Sequence, residues 1–323
     1  MTKNDLLSKF KERKYLVTMG CGSISKMFGV SIELAKECKA ITRSNLNKFG
    51  TTYHPKEVAF KKVPNVKLPK ILIFDIETSP AISYHFGMFN INLSLDQIIE
   101  YPIMLTWSAK WLFSDEVLSD RVTVDEVLAR DDKRISKSIW ELMCEADIVV
   151  AHYGDRFDIP MLNSRFIMNG FPPPTNFTSI DTKSIASQNF KFISNKLDAL
   201  AIYFGFAKKL HTDFMLWRRC MEGEELAIQE MLTYNKRDVT LLEEVYLKLR
   251  PYAKRHPNVG LYIESEEPVC SHCGSSHLEF ASEYYTQTNK YKVYRCDCGA
   301  LSRVRQSSTD KKVRNNLTVS LGK

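Results

Sequence analysis

The chain has 323 residues, 44% of them hydrophobic, enough to bury a sizeable core and to divide into two or three domains. No run approaches the ~20 apolar residues of a membrane span, and "MTKNDLLSKFKERKYL" at the N-terminus lacks the apolar centre and cleavage site of a secretory leader, so the expected compartment is the reducing cytoplasm of a bacterial cell or phage-infected host, where eight cysteines read as thiols or metal ligands. The net charge of +7 is uneven, with +9 over residues 1–69, −4 over 70–259 and +2 over 260–323; a basic head beside an acidic middle suits nucleic acid as well as it suits a solubilising surface.

Residues 1–49 read as short helices. Within "GSISKMFGVSIELAKECKAITRSN" (22–45), Ile24 and Phe28 lie on one helix and Gly29 makes a turn. Ser31 caps a second helix that turns Leu34, Ala35 and Cys38 inward and leaves Lys36, Lys39 and Arg43 for phosphates. This rhythm predicts a helix-turn-helix-like domain over 1–49; the alternative is a plain helical hairpin. Residues 50–69, with three prolines from Pro55 to Pro69 among lysines, read as a basic linker.

From 70 to 181 strands and helices alternate. Strands are expected at Lys70–Ile76, Ile103–Ala109, Glu116–Val122, Asp147–His152 and Thr178–Asp181, and helices at Ile135–Glu145 and Ile159–Asn169. Residues 183–250 are mostly helical. In "ILIFDIETSP" (71–80), Asp75 and Glu77 are two apart, so a strand points both to one face. Two carboxylates that close repel, and a divalent cation relieves the conflict; the alternative is that Glu77 lies past the strand end in water. Asp158 follows a second apolar strand in "ADIVVAHYGDRFDIPML" (146–162), at the edge of the core or as a helix cap. In "EELAIQEMLTYNKRDVTLLEEVYLKL" (224–249), Met231, Tyr234, Asp238, Leu242, Val245 and Leu249 share one helix face. That sets Asp238 in an apolar stripe, where a carboxylate needs an ion or a basic partner. Most of the aromatics in 84–113 read as core, the alternative being surfaces for unstacked bases. Lys208, Lys209, Arg218 and Arg219 are candidates for contacts to a nucleic-acid backbone, or else a solvated face. Asp181, at the end of an expected strand, reads as a turn residue, the alternative being a place near the site.

Together, "FDIET" (74–78), "HYGDRFD" (152–158) and "YNKRD" (234–238) resemble the three exonuclease motifs of the DEDD superfamily, in the subtype whose third motif is Tyr-x-x-x-Asp. "SNKLDALAIYFGFAKKLH" (194–211) adds a resemblance to phage and bacterial relatives of family B polymerase proofreading domains. Tyr153 stands where relatives carry Asn. The resemblance implies an α/β, RNase H-like fold over 70–258, a mixed five-stranded sheet flanked by helices in which an antiparallel meander precedes crossover strands. It implies a 3′–5′ exonuclease using two Mg²⁺ or Mn²⁺ ions. Asp75 would serve both ions, Glu77 and Asp238 would complete one site, Asp158 would hold the second, and Tyr234 would orient the attacking water, a phenol being a poor base at neutral pH. DNA with a single-stranded 3′ end is the expected substrate, with a DNA polymerase or other replication protein as a partner served in trans. The alternatives are an exoribonuclease, or a DNA-binding protein that kept the fold without catalysis.

Past 259 the pattern changes. "VCSHCGSS" (269–276) and "YRCDCGAL" (294–301) hold Cys270, Cys273, Cys296 and Cys298 in two pairs, each followed by Gly. They resemble a zinc ribbon, a small β-rich domain over 259–305 with one structural Zn²⁺, the alternative being free cysteines in a hairpin. The tighter second pair leaves His272 or His277 as possible fourth ligands. Cys21, Cys38, Cys144 and Cys220 read as core. Residues 306–323 read as a basic, flexible tail.

Overall fold

The structure, a computed structural model, describes residues 3, 5, 6, 30, 31, 33–38, 68–87, 89–206 and 212–321. The chain falls into two compact units, Met1–Glu57 and Val58–Lys323. In the first, residues 33–38 are helical, Ala35 and Cys38 are buried, and the Leu34 amide donates to Ser31 Oγ at 3.1 Å. This is the cap expected at Ser31. The rest of the 22–45 motif, including Ile24, Phe28, Lys39 and Arg43, lies outside the described residues, as do Cys21, Lys208, Lys209 and residues 50–67 of the expected linker.

The second unit is built on a five-stranded sheet. Its strands are β1 (Ile71–Thr78), β4 (Met104–Trp111), β5 (Leu118–Arg121), β6 (Ile148–Ala151) and β7 (Thr178–Asp181), in the order β5-β4-β1-β6-β7; β2 (Ile82–Ser83) and β3 (Ile98–Glu100) form a separate two-stranded ribbon. β1 and β4, and β4 and β5, are antiparallel, whereas β1–β6 and β6–β7 are parallel. This is the expected meander followed by crossovers, and each predicted strand is present within two residues at either end. The crossovers are helical, with α1 (Val124–Leu128) and α2 (Lys133–Glu145) between β5 and β6 and α3 (Asp158–Met168) between β6 and β7; α4 (Thr182–Asn189), α5 (Leu197–Phe204), α6 (Phe214–Met221) and the 25-residue α7 (Glu225–Leu249) follow β7.

The period-2 geometry of β1 divides the core. Leu72, Phe74 and Ile76 enter one apolar cluster with α2, α3 and the first half of α7; Ile71 and Ile73 enter the other with α4, α5 and the second half of α7. Asp75 and Glu77 share the face of Ile71 and Ile73. The helix carrying Asp238 therefore passes from one core to the other as it crosses the end of β1. A buried ion pair fixes α3 in place: Arg165 donates to both oxygens of Asp132, at 2.6 and 2.7 Å, and Asp132 also accepts from the Met104 amide of β4 at 2.8 Å.

One reading of the aromatics is corrected. Trp107 is buried and Trp111 half-buried, but Tyr84, Phe86, Phe89, Tyr101 and Phe113 are exposed. Most belong to the excursion between β1 and β4, which carries the two-stranded β2–β3 ribbon apart from the main sheet.

Beyond α7, a short helix α8 (Gly260–Ile263) leads to an antiparallel sheet of β8 (Leu278–Tyr285), β9 (Lys290–Cys296) and β10 (Leu301–Arg303). It is seated on the end of α7 by aromatic and imidazole groups. Tyr246 Oη and His256 Nε2 are 2.8 Å apart, His256 stacks on His272 with centroids at 4.8 Å, and His272 Nε2 donates to the Ala253 carbonyl at 3.1 Å. Burial and the neighbouring His272 push His256 down to about 4, which keeps the stack neutral at physiological pH. The tail carries local structure over part of its length. Helix α9 (Lys311–Asn315) is capped by Asp310 Oδ1, and the Ser308 amide and Thr309 hydroxyl pin the segment to Lys290 of β9.

Candidate active site

β1 is the middle strand, yet it pairs with β6 only over Ile71–Ile73, because β6 ends at Ala151 and the chain turns away. The last turn of β1 therefore opens onto a crevice beyond the carboxyl ends of two parallel strands, next to the point where the sheet changes from antiparallel to parallel. Open α/β sheets place their ligand sites at such points. The crevice is a cleft of about 610 Å³, lined by Asp75, Glu77, Asp158, Tyr234 and Asp238 among others. Strand β1 continues to Thr78, so Glu77 lies inside it and shares the face of Asp75, and the reading in which Glu77 lies past the strand end does not hold.

Carboxylate oxygens of Asp75, Glu77 and Asp238 lie within 4.8 Å of one another, with Asp238 buried and the other two half-buried. The apolar stripe on α7 explains why Asp238 is there. Met231, Tyr234, Leu242, Val245 and Leu249 are all buried, and their face carries Asp238 inward with them. Tyr234 is held by an edge-on contact with Trp217 at 6.3 Å between centroids. Asn235 joins the site. Its Nδ2 donates to Asp75 Oδ2 at 2.7 Å and it is fully buried. The signal was its spacing of three from Asp238, which puts a second polar group on the inward face.

Asp158 lines the same cleft but stands apart from the group of three. It is the first residue of α3 and does not cap it; Phe157 holds the cap position. Its Oδ1 instead accepts a long hydrogen bond, 3.4 Å, from the Ile76 amide between the two acids of β1. Burial pushes Asp158 up to about 7, against the hydrogen bonds that favour its charge, and Asp181 adds repulsion. A carboxyl that keeps its proton in the folded chain stabilises the fold below its ordinary value of 3.8, and that stability is lost as pH rises through about 7. In chelator, the melting temperature should therefore fall from about pH 4 to about pH 7, and Asp158→Asn should flatten the fall. The variant's advantage should grow as pH rises toward 7 and then level off. Parallel pH slopes for the two proteins would contradict this.

Asp181 is not a turn residue but the last residue of β7 and the cap of α4, close enough to Asp158 to act on its charge. Its Oδ1 accepts from the amides of Tyr153, Lys183 and Ser184 at 3.0, 2.9 and 3.1 Å, which caps α4 and ties it to the 152–158 turn. Arg218 and Arg219 form exposed ion pairs, Arg218 with Glu222 and Arg219 with Glu224 and Glu230.

The cysteine pairs also converge. Sγ atoms of Cys270 and Cys298 are 3.7 Å apart and those of Cys273 and Cys296 3.5 Å, with all four within 4.8 Å of one another. The edges of a tetrahedron of thiolates ~2.3 Å from a central Zn²⁺ are about 3.8 Å. Gly274 and Gly299, at φ +77° and +87°, reverse the chain after each pair, and the His272 amide points at Cys270 Sγ at 3.5 Å. His272 and His277 are not needed as ligands; His272 is bonded to Ala253 and Ser271, and His277 lies 3.3 Å from Asp297. The donor set fits zinc. Of the cysteines read as core, Cys38 and Cys220 are buried and Cys144 is half-buried.

Residues 111–250 match the RNase_H superfamily. That span contains Asp158, Tyr234 and Asp238 and begins after the strand that carries Asp75 and Glu77. A DNA polymerase III of the PolC type from Ureaplasma parvum serovar 3 is 25% identical over 242 residues, covering 67% of this chain and 16% of the polymerase. The chain thus spans about a sixth of the length of that relative. Among solved structures, the family B DNA polymerase from the hyperthermophilic archaeon Pyrobaculum calidifontis is similar, with 18% identity over 61% of this chain and 27% of that one, at a TM-score of 0.39. The superfamily match and the β5-β4-β1-β6-β7 sheet with its flanking helices together give this chain an RNase H-like fold.

Proposed function

We propose that this protein is a metal-dependent 3′–5′ exonuclease that hydrolyses phosphodiester bonds at single-stranded DNA ends. The observation that carries the reading is the meeting of Asp75, Glu77 and Asp238 from two elements far apart in sequence, with ligand atoms within 4.8 Å. A protein that only bound DNA would gain nothing from a cluster of anions in its cleft. A pair of Mg²⁺ or Mn²⁺ ions, when bound, supplies charge neutralisation for the scissile phosphate and a more acidic water. Asp75, steadied by Asn235, would serve both ions; Glu77 and Asp238 would complete one set and Asp158 the other. Tyr234, one helical turn before Asp238, would hold the attacking water by its hydroxyl. DNA is the favoured substrate because the curated relative is a DNA polymerase, and the +9 charge of residues 1–69 suits the same anionic partner. The helix-turn-helix-like head and a zinc ribbon on Cys270, Cys273, Cys296 and Cys298 would hold the strand or a replication protein, with the polymerase served in trans.

Digestion of single strands labelled at one end tests the reading. In Mg²⁺ or Mn²⁺, a 5′-labelled strand should shorten stepwise and a 3′-labelled one should lose its label as a mononucleotide. Both should stop in chelator and with Asp75→Ala. Identical backgrounds for wild type and Asp75→Ala would defeat the proposal, and faster loss of ribose than deoxyribose oligomers would move it to RNA.

A further inference from the structure

Tyr153 adopts φ +74°, in the left-handed region. A tyrosine there strains the backbone by roughly 1 kcal/mol relative to glycine. Glycine is the next residue, where it is needed for another reason: a Cβ on Gly154 would stand 2.4 Å from Ala151 Cβ. The turn therefore has a glycine for space and, at its one left-handed position, a large aromatic. Three amides converging on Asp181 impose this, since the Tyr153 N–H must swing round to meet an oxygen that also caps α4. The same carboxylate carries Lys183 to the spot. Lys183 Nζ lies 3.6 Å from the centroid of the Tyr153 ring, and both line the cleft with Asp75, Glu77 and Asp158. Yet Tyr153 is 43% exposed, so it is not core. Strain held by a network, on an exposed ring with an ammonium over it, inside the acid-lined cleft, has no packing explanation.

We infer that Tyr153 and Lys183 form a strand clamp at the wall of the cleft: the Tyr153 ring stacks on a nucleobase near the 3′ end, and Lys183 neutralises a phosphate of the same strand. The clamp rests on the nuclease reading and adds to it the groups that hold the substrate in an otherwise acidic cleft. Stacking on an aromatic face is indifferent to base identity, so the clamp predicts little sequence preference. Lys196 lines the same cleft and adds a second positive charge to the wall.

The experiment compares wild type with Tyr153→Gly, Tyr153→Phe and Lys183→Gln on a single-stranded oligodeoxynucleotide in Mg²⁺. Tyr153→Gly removes the strain with the ring, so its melting temperature should match or exceed that of wild type. Its KM should rise roughly tenfold, with kcat within about twofold; Tyr153→Phe should restore KM. Lys183→Gln should raise KM and reduce the salt dependence of binding by about one phosphate contact, a slope change near 0.7. A wild-type KM for Tyr153→Gly, an equal loss in Tyr153→Phe, or an unchanged salt slope for Lys183→Gln would each overturn the clamp while leaving the nuclease intact. Quenching of an oligomer carrying 2-aminopurine at its 3′ end, measured in Ca²⁺, reads the stacking independently. If wild type hydrolyses nothing, the nuclease reading has failed, and equal quenching by wild type and Tyr153→Gly would then overturn the clamp on its own.

Discussion

Replacing Asp238 by Asn should lower the rate of 3′-end hydrolysis by about a thousandfold and, in the same protein, raise its melting temperature in chelator. The two effects have one cause. Asp238 is 2% exposed and meets Asp75 and Glu77 within 4.8 Å. Three carboxylates this close oppose one another unless cations lie between them. The amide keeps the shape and removes one negative charge, so the chelated fold loses repulsion and gains stability. With the charge goes the affinity for a cation whose stabilisation of the transition state is worth several kcal/mol; about 4 kcal/mol is a thousandfold in rate. Release of mononucleotides from an end-labelled strand measures the first effect, and thermal melting with and without Mn²⁺ the second. Unchanged activity, or a lower melting temperature in chelator, would show that the three acids do not act as one ion site.

The second large effect concerns the cysteines. Purified without chelator, the protein should carry one zinc per chain, and Cys296→Ser or a strong chelator should unfold β8–β10. Few apolar groups hold that sheet. Its buried cluster is Cys270, Cys296, Cys298 and Ala300, backed by Cys273 and Leu278. A structural zinc bound by four thiolates is worth about 10–16 kcal/mol in small domains, far more than so few side chains provide. Amide exchange should separate the two parts of the second unit: protection should vanish over residues 278–303 on zinc removal and persist in β1, β4 and α7. Zinc content well below one per chain, or unchanged exchange in β9 after chelation, would remove the zinc assignment.

Much of this arrangement is legible in the linear sequence because it depends on local periodicity. Alternation placed Asp75 and Glu77 on one face of β1, and the three-and-four spacing of Met231, Tyr234, Leu242 and Val245 placed Asp238 inward. Paired cysteines before glycines marked the two turns that bring the four thiols together. The errors fell where periodicity carries no information. An aromatic in an irregular segment has no face to be assigned to, which is why Tyr84, Phe86 and Phe89 were read as core and lie exposed. Composition likewise carries no sign that Ser308 and Thr309 bond to Lys290.

The order of residues along the chain was enough to fix the strands and helices, the inward face of each, and the carboxylates and thiols those faces carry. Which of them meet depended on folding in three dimensions. Asn235 reaches Asp75 across 160 positions, and Asp181 gathers the amides of Tyr153, Lys183 and Ser184. Asp158 enters the cleft yet remains outside the group of three. A hydrogen bond acts over about 3 Å, and distances that short between remote residues are set by how the sheet and helices pack, not by any spacing along the chain.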